Sequence, residues 1–110
     1  MRKPEKTKLT LATPTKFRYN FEWDLMKNLA NIEKHHVSFE DAETAFYDKN
    51  KIVIKDTKHS KREDRFFCFG AVDGKVATVR FTRRNGSIRI IGAGFWRKGR
   101  EVYEEKNDLQ

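Results

Sequence analysis

Apolar residues recur at i, i+4 and i+7 through Leu25, Leu29 and Ile32, a spacing that predicts a helix with that stripe buried. Asp24 stands at the cap position, so the helix is expected to run from there to about Lys34. A second helix is predicted to start at Ser38, which forms an S-x-x-D capping-box variant with Asp41. Val37 and Ala42 occupy the two positions of a hydrophobic staple, and Phe39, Ala42 and Phe46 should face inward. Only His35 to Ser38 separate the helices, which pins the side chains between them. The pattern then changes to strands at Ile52–Ile54, Arg65–Gly70, Lys75–Thr82 and Ser87–Gly92. Asp73-Gly74 and Asn85-Gly86 are the dipeptides of two-residue type I′ hairpins, because both central residues need positive φ. The last three strands therefore make an antiparallel meander. An amphipathic helix from about Lys98 to Lys106 should close the chain, with Val102 and Tyr103 against the body.

Tight hairpins dictate register. Counting back from Asn85-Gly86, Thr82 opposes Arg89 and Phe81 opposes Ile90. Counting from Asp73-Gly74, Arg65 opposes Thr82 and Phe66 opposes Phe81. One face of the sheet then carries Phe66, Cys68, Ala77, Val79, Phe81, Ile88 and Ile90, an apolar set suited to packing under helices. The other carries Arg65, Thr82 and Arg89 in one row, with Arg80 and Arg84 on either side of Thr82. Strand spacing puts Arg65 and Arg89 roughly 10 Å apart, a span that suits a phosphate held between two guanidinium groups. A bulge in either hairpin would break this register. Some of the arginines are expected to pair with Glu63, Asp64 or the acidic C-terminal helix.

Composition narrows the class. The 110 residues allow one domain, with 37% hydrophobic residues and nine phenylalanines to supply its core. Residues 1–16 hold two prolines and little apolar periodicity and read as a basic flexible tail; residues 17–110 read as the single domain. No apolar run is long enough to span a membrane, and the first residues lack the apolar segment of a secretory signal. Cys68 is the one cysteine, so the cytoplasm is the expected compartment. Of the net charge of +8, residues 49–100 alone hold +11, whereas residues 17–48 hold −4. Such asymmetry points to nucleic acid or to an acidic partner protein; a merely solubilising basic surface is the plain alternative.

The chemistry follows from what is present. His35, His36 and His59 lack ligand spacing and a carboxylate cluster, so no metal or other cofactor is expected. Cys68 sits among phenylalanines, a poor setting for a thiolate, and no glycine-rich phosphate loop follows a strand. Metal-free RNA cleavage needs a base for the 2′-hydroxyl, an acid for the departing 5′-oxygen and cations for the phosphorane-like transition state. Lys34 and His35 are candidates for the proton work, and Arg65, Arg84 and Arg89 for charge stabilisation. His35 reads equally well as a helix-end histidine that offsets the dipole. His36 reads as structural and His59 as a loop residue. Trp23, Phe95 and Trp96 could stack on bases, with core packing the default for Trp23.

These residues resemble the BrnT family of type II toxin–antitoxin systems. The matching pieces are F-E-W-D at Phe21 to Asp24, Asn31 followed by Lys34-His35, V-S-F-E-D-A at Val37 to Ala42, E-D-R-F at Glu63 to Phe66, T-R-R at Thr82 to Arg84 and R-I-I at Arg89 to Ile91. The resemblance implies an α+β, RelE-like fold, with two N-terminal helices and a C-terminal helix on a small antiparallel sheet. It implies ribosome-independent RNA cleavage and a cognate BrnA-like ribbon-helix-helix antitoxin, through which alone DNA would be contacted. The family's active-site positions map onto Lys34, His35, Arg65 and Arg84; in this chain Arg80, Arg89, Arg97 and Trp96 are expected as further RNA or phosphate contacts. Two departures stand out. His36 replaces the usual glycine of Lys-His-Gly, and Gly92-Ala93-Gly94 replaces the frequent Ser-Ala-Arg after Ile91. The alternative function is a non-catalytic basic module that binds RNA or a partner and acts as corepressor with its antitoxin.

Overall fold

Two hairpin turns set the frame of the sheet. Asp73 and Asn85 hold φ of 53° and 47°, and Gly74 and Gly86 follow at 79° and 82°, the pair of left-handed conformations a type I′ turn requires. They join β3 (Arg65–Val72), β4 (Lys75–Arg84) and β5 (Ser87–Gly94). The computed structural model describes residues 19–108, so the expected basic tail over residues 1–16 lies outside the described residues. Arg65 opposes Thr82, Phe66 opposes Phe81 and Thr82 opposes Arg89, as the turns dictate. A bulge does interrupt the second hairpin: Phe81 pairs with Ile90 but Arg80 with Gly92, leaving Ile91 as the extra residue. It lies beyond the Arg65–Thr82–Arg89 row, which stays intact, and it sets Ala93 rather than Gly92 opposite Val79.

β2 (Ile52–Lys55) pairs antiparallel with β3, whereas β1 (Phe21–Glu22) pairs parallel with β5 through Phe21–Ile88 and Glu22–Arg89. The five strands follow the order β1-β5-β4-β3-β2, so the sheet is mixed rather than purely antiparallel. A two-residue strand is too short to show any period, which is why sequence pattern misses it.

Three α-helices complete an α+β fold. α1 (Leu25–His35) begins at Asp24, whose carboxylate accepts from the backbone N–H groups of Met26 and Lys27 at 2.8 and 3.2 Å. α2 (Phe39–Ala42) begins at Ser38, whose Oγ accepts from the Asp41 N–H at 2.9 Å, and continues as a 3₁₀ turn over Glu43–Tyr47. α3 (Arg97–Lys106) is the last helix among the described residues. The expectation for α1 is reversed: Leu25, Leu29 and Ile32 are 64%, 50% and 39% exposed, while Asn28 and Asn31 are buried. The reason is the edge of β5. Beyond Arg89 the short β1 no longer pairs with it, and α1 lies there instead. Asn31 Nδ2 donates to Ala93 O at 2.9 Å and to Val37 O at 3.0 Å, and Asn31 Oδ1 accepts from Ala93 N at 3.2 Å. An apolar side chain at that position would leave buried backbone groups without partners. Asn28 Oδ1 likewise accepts from the Phe39 N–H at 2.8 Å, fixing the start of α2.

The core lies between α2 with its 3₁₀ extension and one face of the sheet, where Phe39, Ala42, Ala45 and Phe46 meet Cys68, Ala77, Val79, Phe81 and Ile90. α3 covers the other face at one end only, with Gly99 set against Thr78 and Phe69. Tyr103 is buried there and its hydroxyl donates to Asp48 Oδ2 at 2.7 Å. Burial first, then that bond, pushes the Tyr103 phenol up to about 12. Burial alone would raise the Asp48 carboxyl, but the bonds from Tyr103 and the Asn50 and Ala71 backbone, together with Lys51, hold it below its ordinary value. Among the described residues, the arginine end of that face is left open.

Two outcomes follow. His36 closes α1 at φ 61°, ψ 33°, with its N–H donating to Ile32 O, in a conformation that disfavours any Cβ. His36→Gly should therefore stabilise the protein by about 1 kcal/mol in urea unfolding. Because folding favours the neutral Tyr103 phenol, its contribution is full below its ordinary value near 10 and fades as pH rises through about 12. Tyr103→Phe cannot ionise, so the parent's stability advantage over that variant should shrink across this window.

Candidate active site

Arg65 opens β3, Arg84 ends β4 and Arg89 lies early in β5, so neighbouring strands bring all three guanidinium groups to the open end of one face. Together with Asp24, Lys27, Glu63, Ile90 and Ile91 they line a cleft of about 230 Å³. Glu63 sits between two of them: its Oε2 accepts from Arg65 Nη2 at 3.4 Å and its Oε1 from Arg84 Nη2 at 3.2 Å. Glu22 Oε2 accepts from Arg89 Nη1 at 3.3 Å. Pairing with Glu63 was expected; pairing with Glu22 depends on the unforeseen strand β1. These are long, partly exposed contacts, weak enough for an incoming anion to take over the donors. The Arg65 Nε is buried and without a hydrogen-bond partner among the described residues. Thr82, between Arg65 and Arg89, is buried and donates through Oγ1 to Asp64 O at 2.7 Å, tying the Glu63–Asp64 segment to the sheet.

The same face continues along β5. Arg80 is half-buried and its Nη1 lies beside Gly92, next to Asn31. Beyond it, the Trp96 indole lies directly over Gly94, where any Cβ would strike the ring. The His35 ring meets Trp96 edge to face, with centroids 5.1 Å apart and planes at 69°. Lys34 and Arg97 are exposed. Gly94 lies five residues past Arg89, roughly 15 Å along the strand. Lys34, His35, Trp96 and Arg97 thus occupy the far end of this face and do not line the arginine cleft, and Arg80 stands between. Trp23 packs edge to face on Phe39 at 6.0 Å, as expected of a core residue, and Phe95 packs against the core with Lys75 Nζ 4.7 Å above its ring.

Several residues here were not anticipated. Asp24 and Lys27 reach the cleft because they share the side of α1 that Asn31 turns toward β5, a side the apolar stripe appeared to exclude. A second cleft, of about 280 Å³, adjoins the first through Glu63 and Arg65 and is otherwise lined by Lys58, His59, Lys61 and Arg62. His59 is no isolated loop residue: its Nδ1 lies 2.9 Å from Oδ2 of the buried Asp56. The D-x-x-H spacing in a 3₁₀ turn, Thr57–His59, was the available signal. Burial pushes the Cys68 thiol up to about 12, so it is no thiolate. Among the described residues no three His, Cys, Asp or Glu side chains converge as metal ligands do, and no helix is long and apolar enough to cross a membrane.

Comparison with known proteins agrees with this fold. A search of curated protein sequences finds no significant match. The structure is similar to the crystal structure of the Brucella abortus ribonuclease toxin BrnT, with a TM-score of 0.56 and 22% identity over 72% of this chain and 97% of that one. At that identity the likeness speaks for the fold alone. Residues 23–99 match the sequence profile described as ribonuclease toxin, BrnT, of type II toxin-antitoxin system, a span running from the start of α1 through the arginine strands to α3. The chain belongs to the BrnT family of type II toxin–antitoxin ribonuclease toxins.

Proposed function

We propose that this protein is an endoribonuclease that cleaves RNA without a metal ion and without the ribosome, arresting translation and growth. The convergence of Arg65, Arg84 and Arg89 on one open cleft carries the reading. Three forked donors held by carboxylates they can exchange form a receptor for the scissile phosphate and for the extra charge of its transition state. The substrate's own 2′-hydroxyl is the nucleophile, which confines the enzyme to RNA and explains why no activated Ser or Cys is needed. Lys34 and His35, roughly 15 Å along the strand from Arg89, hold RNA at the far end of this face rather than move protons at the scissile phosphate. Arg80, Arg97 and the exposed Trp96 carry the RNA along the face toward them.

The family implies an antitoxin, here a BrnA-like ribbon-helix-helix protein, with DNA reached only through it. The outward apolar side chains of α1, Leu25, Met26, Leu29 and Ile32, are surface of the kind that protein partners cover. The fold is read as RelE-like and the working compartment as the cytoplasm. The competing reading is a non-catalytic basic module acting as corepressor. It draws on Glu22 and Glu63, which occupy the arginines as acidic groups of a partner would.

Purified protein should cut an RNA oligonucleotide in EDTA, leaving a 2′,3′-cyclic phosphate, and should spare the same oligonucleotide carrying 2′-deoxy sugars. Arg65→Ala, Arg84→Ala and Arg89→Ala should each lower the single-turnover rate by about 100-fold or more, whereas His35→Ala should weaken RNA binding with a smaller effect on that rate. Binding of RNA by the parent without cleavage would establish the corepressor reading instead.

A further inference from the structure

His59 and Asp56 form a dyad that the functions assigned so far leave unused. The Asp56 carboxylate is buried, with 6% of the residue exposed, and its Oδ2 faces His59 Nδ1 at 2.9 Å. Opposite an ionised carboxylate, which only accepts hydrogen bonds, the neutral imidazole has its proton on Nδ1 and its lone pair on Nε2. The side chain of His59 is 55% exposed and lines the cleft it shares with Lys58, Lys61, Arg62, Glu63 and Arg65. The loop itself is drawn shut at its neck. Asp56 N donates to Arg65 O at 2.7 Å, Ser60 Oγ donates to Asp56 O at 2.7 Å, and Arg65 N donates to Ser60 Oγ at 2.9 Å. The backbone that holds the dyad is thereby fastened to the backbone of Arg65. Arg65 and Glu63 belong to both clefts, so a chain of nucleotides whose phosphate lies on Arg65 passes His59 on one side.

Resting on the ribonuclease reading above, we infer that His59 is the general base of RNA cleavage, with Asp56 as its positioning residue. His59 Nε2 takes the proton of the 2′-hydroxyl, and the 2′-oxygen bonds to the adjacent phosphorus. The bond from phosphorus to the 5′-oxygen breaks, and that oxygen takes a proton from water or from an acid on its far side. The products are a 2′,3′-cyclic phosphate and a 5′-hydroxyl. Asp56 holds the ring in the required tautomer and stabilises the imidazolium as it forms, the division of labour found in other carboxylate–histidine pairs. Lys58, Lys61 and Arg62 supply the charge that holds the phosphate next to the scissile one. This places a proton-transfer group beside the arginine cleft, where Lys34 and His35 do not reach in the described arrangement.

The test uses the full chain, a short RNA and EDTA, with single-turnover rates and RNA affinity measured separately. His59→Ala should lower the rate by about 100-fold or more while affinity is kept. Added imidazole should restore part of that rate, which a misfolded protein would not allow. Asp56→Asn should lower kcat by about 10-fold or more with KM unchanged. Parental rates in both His59→Ala and His59→Gln would overturn the assignment and leave the ribonuclease standing. So would loss of cleavage in Glu63→Gln with His59→Ala still active, which would make the carboxylate the base. A parent that cuts no RNA would bring down the ribonuclease reading itself, and this one with it.

Discussion

The side-chain amide of Asn31 is the joint on which the geometry of this protein depends. A sheet edge exposes backbone N–H and C=O groups, and β5 loses its neighbour once β1 stops at Glu22. Asn31 supplies both a donor and an acceptor to Ala93, doing for one residue what another strand would do, and spends its second N–H on Val37 O. Three bonds at about 3 Å thus lock α1 to the sheet and to the start of α2. Everything on that side of α1 inherits its position from them: Asp24 and Lys27 at the arginine cleft, His35 against Trp96. Because polar groups take the inward side, the apolar residues are left outside, opposite to what their spacing suggests. A buried amide with every bond satisfied specifies one arrangement in a way that a leucine stripe, free to slide, cannot.

What could be read from the chain alone follows the range of the interaction concerned. Asp24 and Ser38 cap their helices through bonds spanning two or three residues, and the I′ turns need only two residues each, so these were legible. From the turns came the pairing of Arg65, Thr82 and Arg89, and hence the arginine row. The inverted face of α1 was not legible, because its cause is a contact between positions 31 and 93. The same holds for β1, whose two residues pair with Ile88 and Arg89, and for the bulge at Ile91, which no local rule announces. At the candidate site the row of arginines was visible, since β geometry gathers those cations. The relation of Lys34 and His35 to those cations was not, since it depends on where a helix lands along a strand.

Electrostatics explain how so basic a face folds at all. Three arginines on adjacent strands repel one another, and Glu63 and Glu22 reduce that cost from two directions. None of the three contacts is short, at 3.2–3.4 Å, and the guanidinium groups keep other donors unspent. Carboxylates held this loosely offset the repulsion without using up the donors of the arginines. Arg83, on the opposite face, shows the contrasting use: its guanidinium lies 5.2 Å from the Phe66 ring centre, covering core aromatics rather than facing a cleft.

The departures from the family's usual sequence gain a physical meaning from this layout. Where the family often has Ser-Ala-Arg after Ile91, this chain has Gly92-Ala93-Gly94, and both glycines lie under large side chains. Gly94 admits the Trp96 ring, since a Cβ would stand 2.3 Å from its nearest atom. An arginine at that position would therefore exclude the indole and with it the surface on which His35 rests. Gly92 lies under the end of Arg80, which brings a cation from β4 to a place where β5 carries none. The chain thus trades a cation on β5 for an aromatic platform and draws the replacement charge from the neighbouring strand. Ala93, between the two glycines, keeps its side chain in the core and its backbone on Asn31, so the exchange leaves the joint itself untouched.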